Sequence, residues 1–429
     1  MAYVPAAFIL AGMAAYTLFA GADFGAGLWM LLAYGPDAPK TRAEVRQAMG
    51  PVWEANHVWL IFVLVVCWTG YPVAFGSIAS TLAIPLTAAA VGIIFRGAAY
   101  ALRGQGTSRS AETVMALSSV LTPFSLGTVV GAIATSRVPV GNAAGNVVTA
   151  WLNVPSVLIG VLAVAFSGYL AAVYLAADSV RGTSPGLTRG SRGRGFRARA
   201  LAAGVVSGAV ALAGLLVMRH SGLDLTRGLA LVMVTVSGVA GLATMVLCWR
   251  SRFQLARLSA ALAVAAVVAG WAAAQAPRLL PGMTVTQAAA GRATLIAIVI
   301  AVAAGAVVLI PSLALLYTLF LRGRLDAPEE AHAAGVPAVP VPPAHVPAAR
   351  LPAAHVPAAR VPAARVPGPR SAAGHPPSRG WAAVAIIGLL AGAGLLVFTD
   401  PAWLHGIGVA CFLACAVSTF VLAGDRDGE

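Results

Sequence analysis

The residues of this chain that could take part in chemistry are a few charged side chains set inside long apolar segments. The first is Asp23, in the motif GADFGAG at residues 21–27. It lies roughly ten residues, or about 15 Å along a helix, from the end of its apolar segment. An ionisable side chain at this depth normally faces a bundle interior or water. Asp23 is therefore expected to be a structural hydrogen-bonding group or part of a proton relay. Gly21 and Gly25, spaced i, i+4, permit close helix contact.

A second polar group stands at the start of the next apolar segment, in the sequence GPVWEANHVWL beginning at Gly50. Its members are Trp53, Glu54, Asn56, His57 and Trp59. The two tryptophans are typical of a membrane interface, so Glu54 is expected at the inner mouth of the membrane, as a proton-uptake group or a helix cap. Glu54 and His57 share one helix face. Glu-x-x-His is also half of a di-iron site, but no second membrane-embedded copy exists, so no metal is expected.

Two arginines end the third apolar segment, in the sequence IFRGAAYALR. Arg96 and Arg103 are two turns apart on one helix face, at the expected inner end of the segment. Buried charges in a membrane normally pair with one another. The sequence therefore predicts a polar, charge-balanced cluster of Asp23, Glu54 and Arg96 that opens toward the cytoplasm.

The composition places these motifs in a membrane. Of the 429 residues, 59% are hydrophobic and only 10% are charged, whereas a soluble domain carries about 25% charged residues. Apolar segments of about 20 residues predict spanning helices, so the fold class is an all-α polytopic membrane protein. We predict nine spans near 5–33, 56–75, 78–101, 112–135, 152–177, 200–218, 229–249, 256–274 and 293–321, and two more near 381–398 and 403–423.

The basic residues indicate the orientation of these spans. The net charge of +14 could point to nucleic acid, but the arginines lie in short loops between apolar segments, so nucleic acid is not an expected partner. Alternate loops are rich in arginine, and the positive-inside rule then places the N-terminus outside. The linker and the C-terminus are expected in the cytoplasm.

The last quarter of the chain differs from the rest. Residues 1–325 are predicted to form the core, 326–380 a linker rich in proline and alanine, and 381–429 an additional membrane hairpin with a short tail. Near-copies of a pentapeptide such as VPAAR fill the linker from Val341 to Arg370. Proline at every fifth residue prevents a helix and favours an extended chain. The linker is expected to be a stiff basic spacer, or a binder of anionic lipid headgroups.

The three polar motifs, in this order and at these separations, resemble subunit II of cytochrome bd-type quinol oxidases. The resemblance implies two four-helix bundles plus one helix, without a catalytic haem. It implies a haem-bearing subunit I as the partner, with haems b and d and the quinol site. The complex would oxidise quinol and reduce oxygen to water. Acids at the Asp23 and Glu54 positions are associated in the family with a cytoplasmic proton route, to which we add His57 as a candidate.

The sequence departs from the family pattern at a few positions, and other interpretations remain. Phe19 stands where many relatives carry an acid, and Ala101 stands where some do. A secondary transporter is one alternative, since Pro85 and Pro123 interrupt two predicted spans. A non-catalytic membrane scaffold is another.

Ligands and location follow from the same interpretation. His57, His220 and His405 lie at different expected depths, so the chain alone is not expected to bind haem. A quinone or a lipid is a possible ligand of the chain. The expected partners are subunit I, membrane lipids and the quinol pool, in the plasma membrane of a prokaryote.

Overall fold

The computed structural model describes residues 1–33, 53–101, 109–181 and 192–321, with single positions between 35 and 45 and between 387 and 411. The chain divides into two compact units, Met1–Ala303 and Ala304–Glu429. The predicted linker and most of the predicted terminal hairpin lie outside the described residues, so the predicted domain limits at 325 and 380 stay predictions.

Eleven helices and one small hairpin make up the described part of the chain. The helices are α1 (Tyr3–Leu31), α2 (Trp53–Gly70), α3 (Pro72–Thr81), α4 (Ala83–Ala101), α5 (Arg109–Ala134), α6 (Val154–Arg181), α7 (Arg192–His220), α8 (Gly228–Trp249), α9 (Phe253–Gln275), α10 (Val285–Ala288) and α11 (Arg292–Leu321). Strands β1 (Arg278–Leu280) and β2 (Met283–Thr284) pair antiparallel.

Seven of these helices are long and apolar enough to cross a membrane, namely α1, α5, α6, α7, α8, α9 and the first part of α11. A helix satisfies its backbone hydrogen bonds internally, which a segment surrounded by lipid requires. The predicted class of an all-α polytopic membrane protein is thereby confirmed. The remaining predicted spans correspond to the shorter α2 and to the pair α3–α4.

The region between residues 70 and 85 departs from the prediction of straight spans at 56–75 and 78–101. Helix α2 ends at Gly70, and α3 begins at Pro72, where proline lacks an N–H that a first turn would leave unpaired. Helices α3 and α4 are bent by 83° at a break between them. Pro85 stands in the first turn of α4 and so does not interrupt a span. Pro123 lies inside α5, which continues past it.

Helix α1 is central to the first unit. It packs against α2, α5, α6 and α9. Helix α5 also contacts α4 and α6, while α6 through α9 contact one another in pairs. The largest apolar core lies where these helices meet and is centred on α6, with Leu170 and Val173 fully buried. This packing holds α1 rigidly between its neighbours, which fixes the position of Asp23.

The loop after α5 and the β1–β2 hairpin form a cap over the end of the first unit that carries α3. The hydroxyl groups of Ser77 and Ser80 accept hydrogen bonds of 2.9 Å from the backbone N–H groups of Gly141 and Ala143. Tyr71 and Leu280 are buried in one cluster, which joins α3 to the β1–β2 hairpin. The polar motifs of α1 and α4 lie nearer the opposite ends of their helices.

Candidate functional site

Small residues bring α1 into close contact with α6 around Asp23. A Cβ atom added at Gly25 would overlap the carbonyl group of Ser167, whereas one at Gly21 would make ordinary contacts at 3.6 Å with Leu170. Further along, the Trp29 indole N–H donates a 2.8 Å hydrogen bond to the Gly168 carbonyl. Gly25 therefore sets the distance between the two helices, and the indole fixes their register.

Arg96 on α4 reaches across to Asp23 on α1. Its Nη2 lies 2.8 Å from Asp23 Oδ1, and its Nε donates to Oδ2 at 3.0 Å. Nη2 also donates to the backbone carbonyl of Asp23 at 2.7 Å. The guanidinium thus holds both carboxylate oxygens and the main chain of one residue, the forked arrangement that arginine favours.

The remaining sides of the Arg96 guanidinium are also occupied. Nη1 donates to Ser119 Oγ on α5 at 2.5 Å, and the Phe24 ring lies 4.9 Å from Cζ. A Cβ at Gly27 would overlap Ser119 Oγ and lie 3.2 Å from Nη1. Arg96 is fully buried and Asp23 is 10% exposed. The pair is therefore a nearly neutral unit that closes the contact between α1, α4 and α5.

His57 and Tyr16 border the ion pair on the side of α2. The His57 ring lies 6.1 Å from the ring of Tyr16 and 6.1 Å from that of Phe24, between centroids. The charges of Asp23 and Arg96 act on both His57 and Tyr16. The structure therefore brings three of the predicted residues, Asp23, Arg96 and His57, into one region.

The contacts between α1 and α2 fix their relative depth. The Asn56 side chain donates to the Phe19 carbonyl at 3.4 Å, and a Cβ at Gly12 would meet Phe62 and Val63. In this antiparallel register the Glu54 backbone, in the first turn of α2, lies level with the segment from Gly21 to Asp23. The expected order, with Glu54 shallow and Asp23 deeper, is therefore not what the helices show.

The other predicted residues are placed less completely. The side chains of Trp53 and Glu54 lie outside the described residues, and so does Arg103. Trp59 is half-buried and packs against the cluster of Tyr16, Ala20 and Phe24. Its contacts are therefore with the protein core as well as with a membrane interface.

Two partners of Arg96 were missed by the sequence reasoning. Ser119 and Phe24 both contact the guanidinium, and Ser119 Oγ also donates to the Met115 carbonyl at 2.6 Å. The available signal was the pair Ser118 and Ser119, two of several hydroxyl-bearing residues in α5. Serine is common in membrane helices, where it can bond to its own helix backbone, so this signal does not identify a partner.

The chemistry that this arrangement permits is the holding of charge and the movement of protons. Within the described ranges no group of three His, Cys, Asp or Glu residues could hold a metal ion. Asp23 is a carboxylate held by the fixed charge of Arg96, and His57 is an imidazole beside that pair. Fold and site together define a polytopic membrane protein with a buried ion pair and a neighbouring histidine.

Comparison with known proteins identifies the family. The chain belongs to the cytochrome bd terminal oxidase subunit II family, whose sequence model matches residues 1–320. The resemblance noted from the three motifs is therefore confirmed. The structure is similar to that of the bd oxidase from Geobacillus thermodenitrificans, with a TM-score of 0.62 and 22% identity, over 75% of this chain and 98% of that chain. This likeness shows the fold. No curated protein sequence matches the chain.

Proposed function

We propose that this chain is the subunit without catalytic haem of a quinol:oxygen oxidoreductase. The observation that carries the proposal is the family match over residues 1–320, which includes all three polar motifs. The partner is a haem-bearing subunit I that holds haems b and d and oxidises quinol. This chain stabilises that subunit in the plasma membrane, with its N-terminus outside and its linker and C-terminus in the cytoplasm.

The same proposal gives the polar cluster a role in proton supply. Glu54, His57 and Asp23 form the route, and Arg96, with Arg103, balances the negative charge. Glu54 and His57 are one helical turn apart on α2, and His57 lies beside the region of Asp23. Because Glu54 is level with Asp23, a proton would pass sideways from α2 toward α1 rather than along one helix.

The contacts of Asp23 determine how it would act in this route. Both of its carboxylate oxygens are held by Arg96, so taking up a proton would require one of these contacts to break. A carboxylate held in this way acts mainly as a fixed negative charge. Because this charge is paired with Arg96, Glu54 and His57 are left as the groups that bind and release protons.

The test of this role is Glu54→Gln in the complex with subunit I. The amide keeps the size of the side chain and its hydrogen bonding but cannot titrate. Because a positioned acid or base contributes about 10²- to 10⁴-fold to a proton-transfer step, oxygen-linked proton uptake should slow by at least tenfold if this step limits turnover. The haem content should stay normal.

Asp178→Asn is the matched control, since Asp178 is a half-exposed acid in a different ion pair with Arg257. This variant should leave proton uptake unchanged. Normal turnover of the Glu54→Gln complex across a range of pH would contradict a role for Glu54 in the route.

A further inference from the structure

A groove between α7 and α8 stands apart from the polar cluster. It has a volume of about 450 Å³ and is lined by Leu201, Met245, Val246, Trp249 and Arg250. Trp249, the last residue of α8, is 68% exposed, as is typical of a tryptophan at a membrane–water interface. The lower part of the groove is apolar and its mouth is basic, so it has two chemically different halves.

The local backbone holds the basic mouth in place. The N–H of Ser251 donates to the Cys248 carbonyl at 3.1 Å, and that of Arg252 donates to Leu247 at 2.8 Å. With Ser251 at a φ of 56°, these are the two bonds of a Schellman helix end. The turn fixes the main chain of Arg250 and Arg252, so the positive charges stay at the end of α8.

A third arginine comes from α7. The Arg197 guanidinium lies 5.5 Å from the centre of the Trp249 ring, and Arg197 is one turn from Leu201 on the same helix face. At the deeper end, a Cβ at Gly204 would be 3.5 Å from Met245 Cγ. The two helices are therefore in close contact at the apolar end of the groove.

The positive charge of this mouth has no ion-pair partner among the described side chains. In the part of the chain that the structure describes, no ion pair involves Arg197, Arg250 or Arg252. Asp178, near the end of α6, is bound to Arg257 on α9 at 3.1 Å. The surface is thus complementary to an anion that carries an apolar chain.

We propose that this groove binds one anionic phospholipid. The phosphate lies between Arg197 and Arg250, the Trp249 ring lies at the level of the glycerol backbone, and an acyl chain covers Leu201 and Val246. Basic pockets between membrane helices favour anionic headgroups because a zwitterionic headgroup carries its own cation. The site would retain an anionic lipid at the subunit surface independently of the proton route.

The experiment uses the intact complex with subunit I, stripped of lipid in an uncharged detergent. Native mass spectrometry measures the binding of phosphatidylglycerol and of phosphatidylcholine. The test variant is R197Q/R250Q, and the control is R219Q/R292Q, which removes the same charge from exposed arginines elsewhere. Each basic side chain near an anionic lipid contributes about fivefold, so the test variant should bind phosphatidylglycerol about thirtyfold more weakly.

The control variant should bind both lipids as the wild type does, and phosphatidylcholine binding should not change in either variant. Raising the salt concentration should weaken phosphatidylglycerol binding to the wild type and to the control variant, and the wild-type result tests the proposal without any substitution. Equal affinity of the wild type for the two lipids would overturn the proposal. Undiminished phosphatidylglycerol binding by R197Q/R250Q would also overturn it.

Discussion

Removal of Arg96 should destabilise the protein far more than removal of any exposed arginine. The substitution Arg96→Leu deletes every contact of a fully buried guanidinium and leaves Asp23, which is 10% exposed, without its counter-charge. At the observed separation of 2.8 Å, the attraction between unit charges is about 6 kcal/mol with an effective dielectric constant of 20. Desolvation offsets part of this attraction, and breaking a buried pair typically costs about 3–5 kcal/mol.

A double-mutant cycle separates the pair from its surroundings. The variants are Arg96→Leu, Asp23→Asn and the two combined, with unfolding measured by titration with sodium dodecyl sulfate in mixed micelles. We expect a coupling energy of about 3 kcal/mol, because the double variant leaves no buried charge. Arg96→Leu should also lower the yield of assembled complex more than the turnover of each assembled complex.

The matched control is the pair Arg257–Asp178, whose atoms lie 3.1 Å apart and whose side chains are 33% and 39% exposed. An exposed pair of this kind contributes about 0–1 kcal/mol. Arg257 contacts one carboxylate oxygen, whereas Arg96 holds both, so the two pairs differ in burial and in the number of contacts. A coupling energy for Arg96 and Asp23 no larger than that of the control would refute the reasoning, as would a normal yield of Arg96→Leu complex.

Further predictions concern helix packing, the contact of Arg96 with Ser119, haem binding, and the residues that follow Arg324. Gly25→Ala should destabilise the protein by about 1–3 kcal/mol because its Cβ would overlap Ser167; Gly21→Ala, with room for a Cβ, should be neutral in the same titration. Ser119→Ala should cost about 1–3 kcal/mol by removing one acceptor of a buried cation. The chain expressed alone should show no Soret absorbance, and a stoichiometric haem signal would contradict this. Truncation after Arg324 should leave a complex that is active when oxygen consumption is measured. Loss of assembly would show that the predicted linker or hairpin belongs to the core.

The helices themselves could be predicted because hydropathy is a local property of the sequence. Each long apolar segment between residues 109 and 321 corresponds to a helix, with limits that differ by at most four residues except at the start of α7, which begins eight residues before the predicted limit. The bend near Leu82 could not be predicted in the same way. Both α3 and α4 are apolar, and the cap formed by Tyr71, Leu280 and the loop after α5 holds them at their angle. Those contacts come from residues far away in the sequence.

The depth of Glu54 also depends on contacts between residues far apart in the sequence, so it could not be predicted from the sequence. Its distance from the start of the apolar segment predicted a position at the membrane mouth, with Asp23 deeper. Helix register depends on which side chains fit together, and the contacts of Asn56 with Phe19 and of Gly12 with Phe62 set it here. These contacts place the Glu54 backbone level with the segment from Gly21 to Asp23, which changes the direction in which a proton would have to move.

The sequence by itself determined that this is a membrane protein, that it carries the three motifs of its family, and that charged residues lie within its apolar segments. Hydropathy and motif spacing are read along the chain, so they need no knowledge of the fold. Only the tertiary structure decided that Arg96 holds Asp23 together with Ser119 and Phe24. A buried guanidinium requires several partners at once, and these come from different helices that only the packing of α1, α4 and α5 brings together.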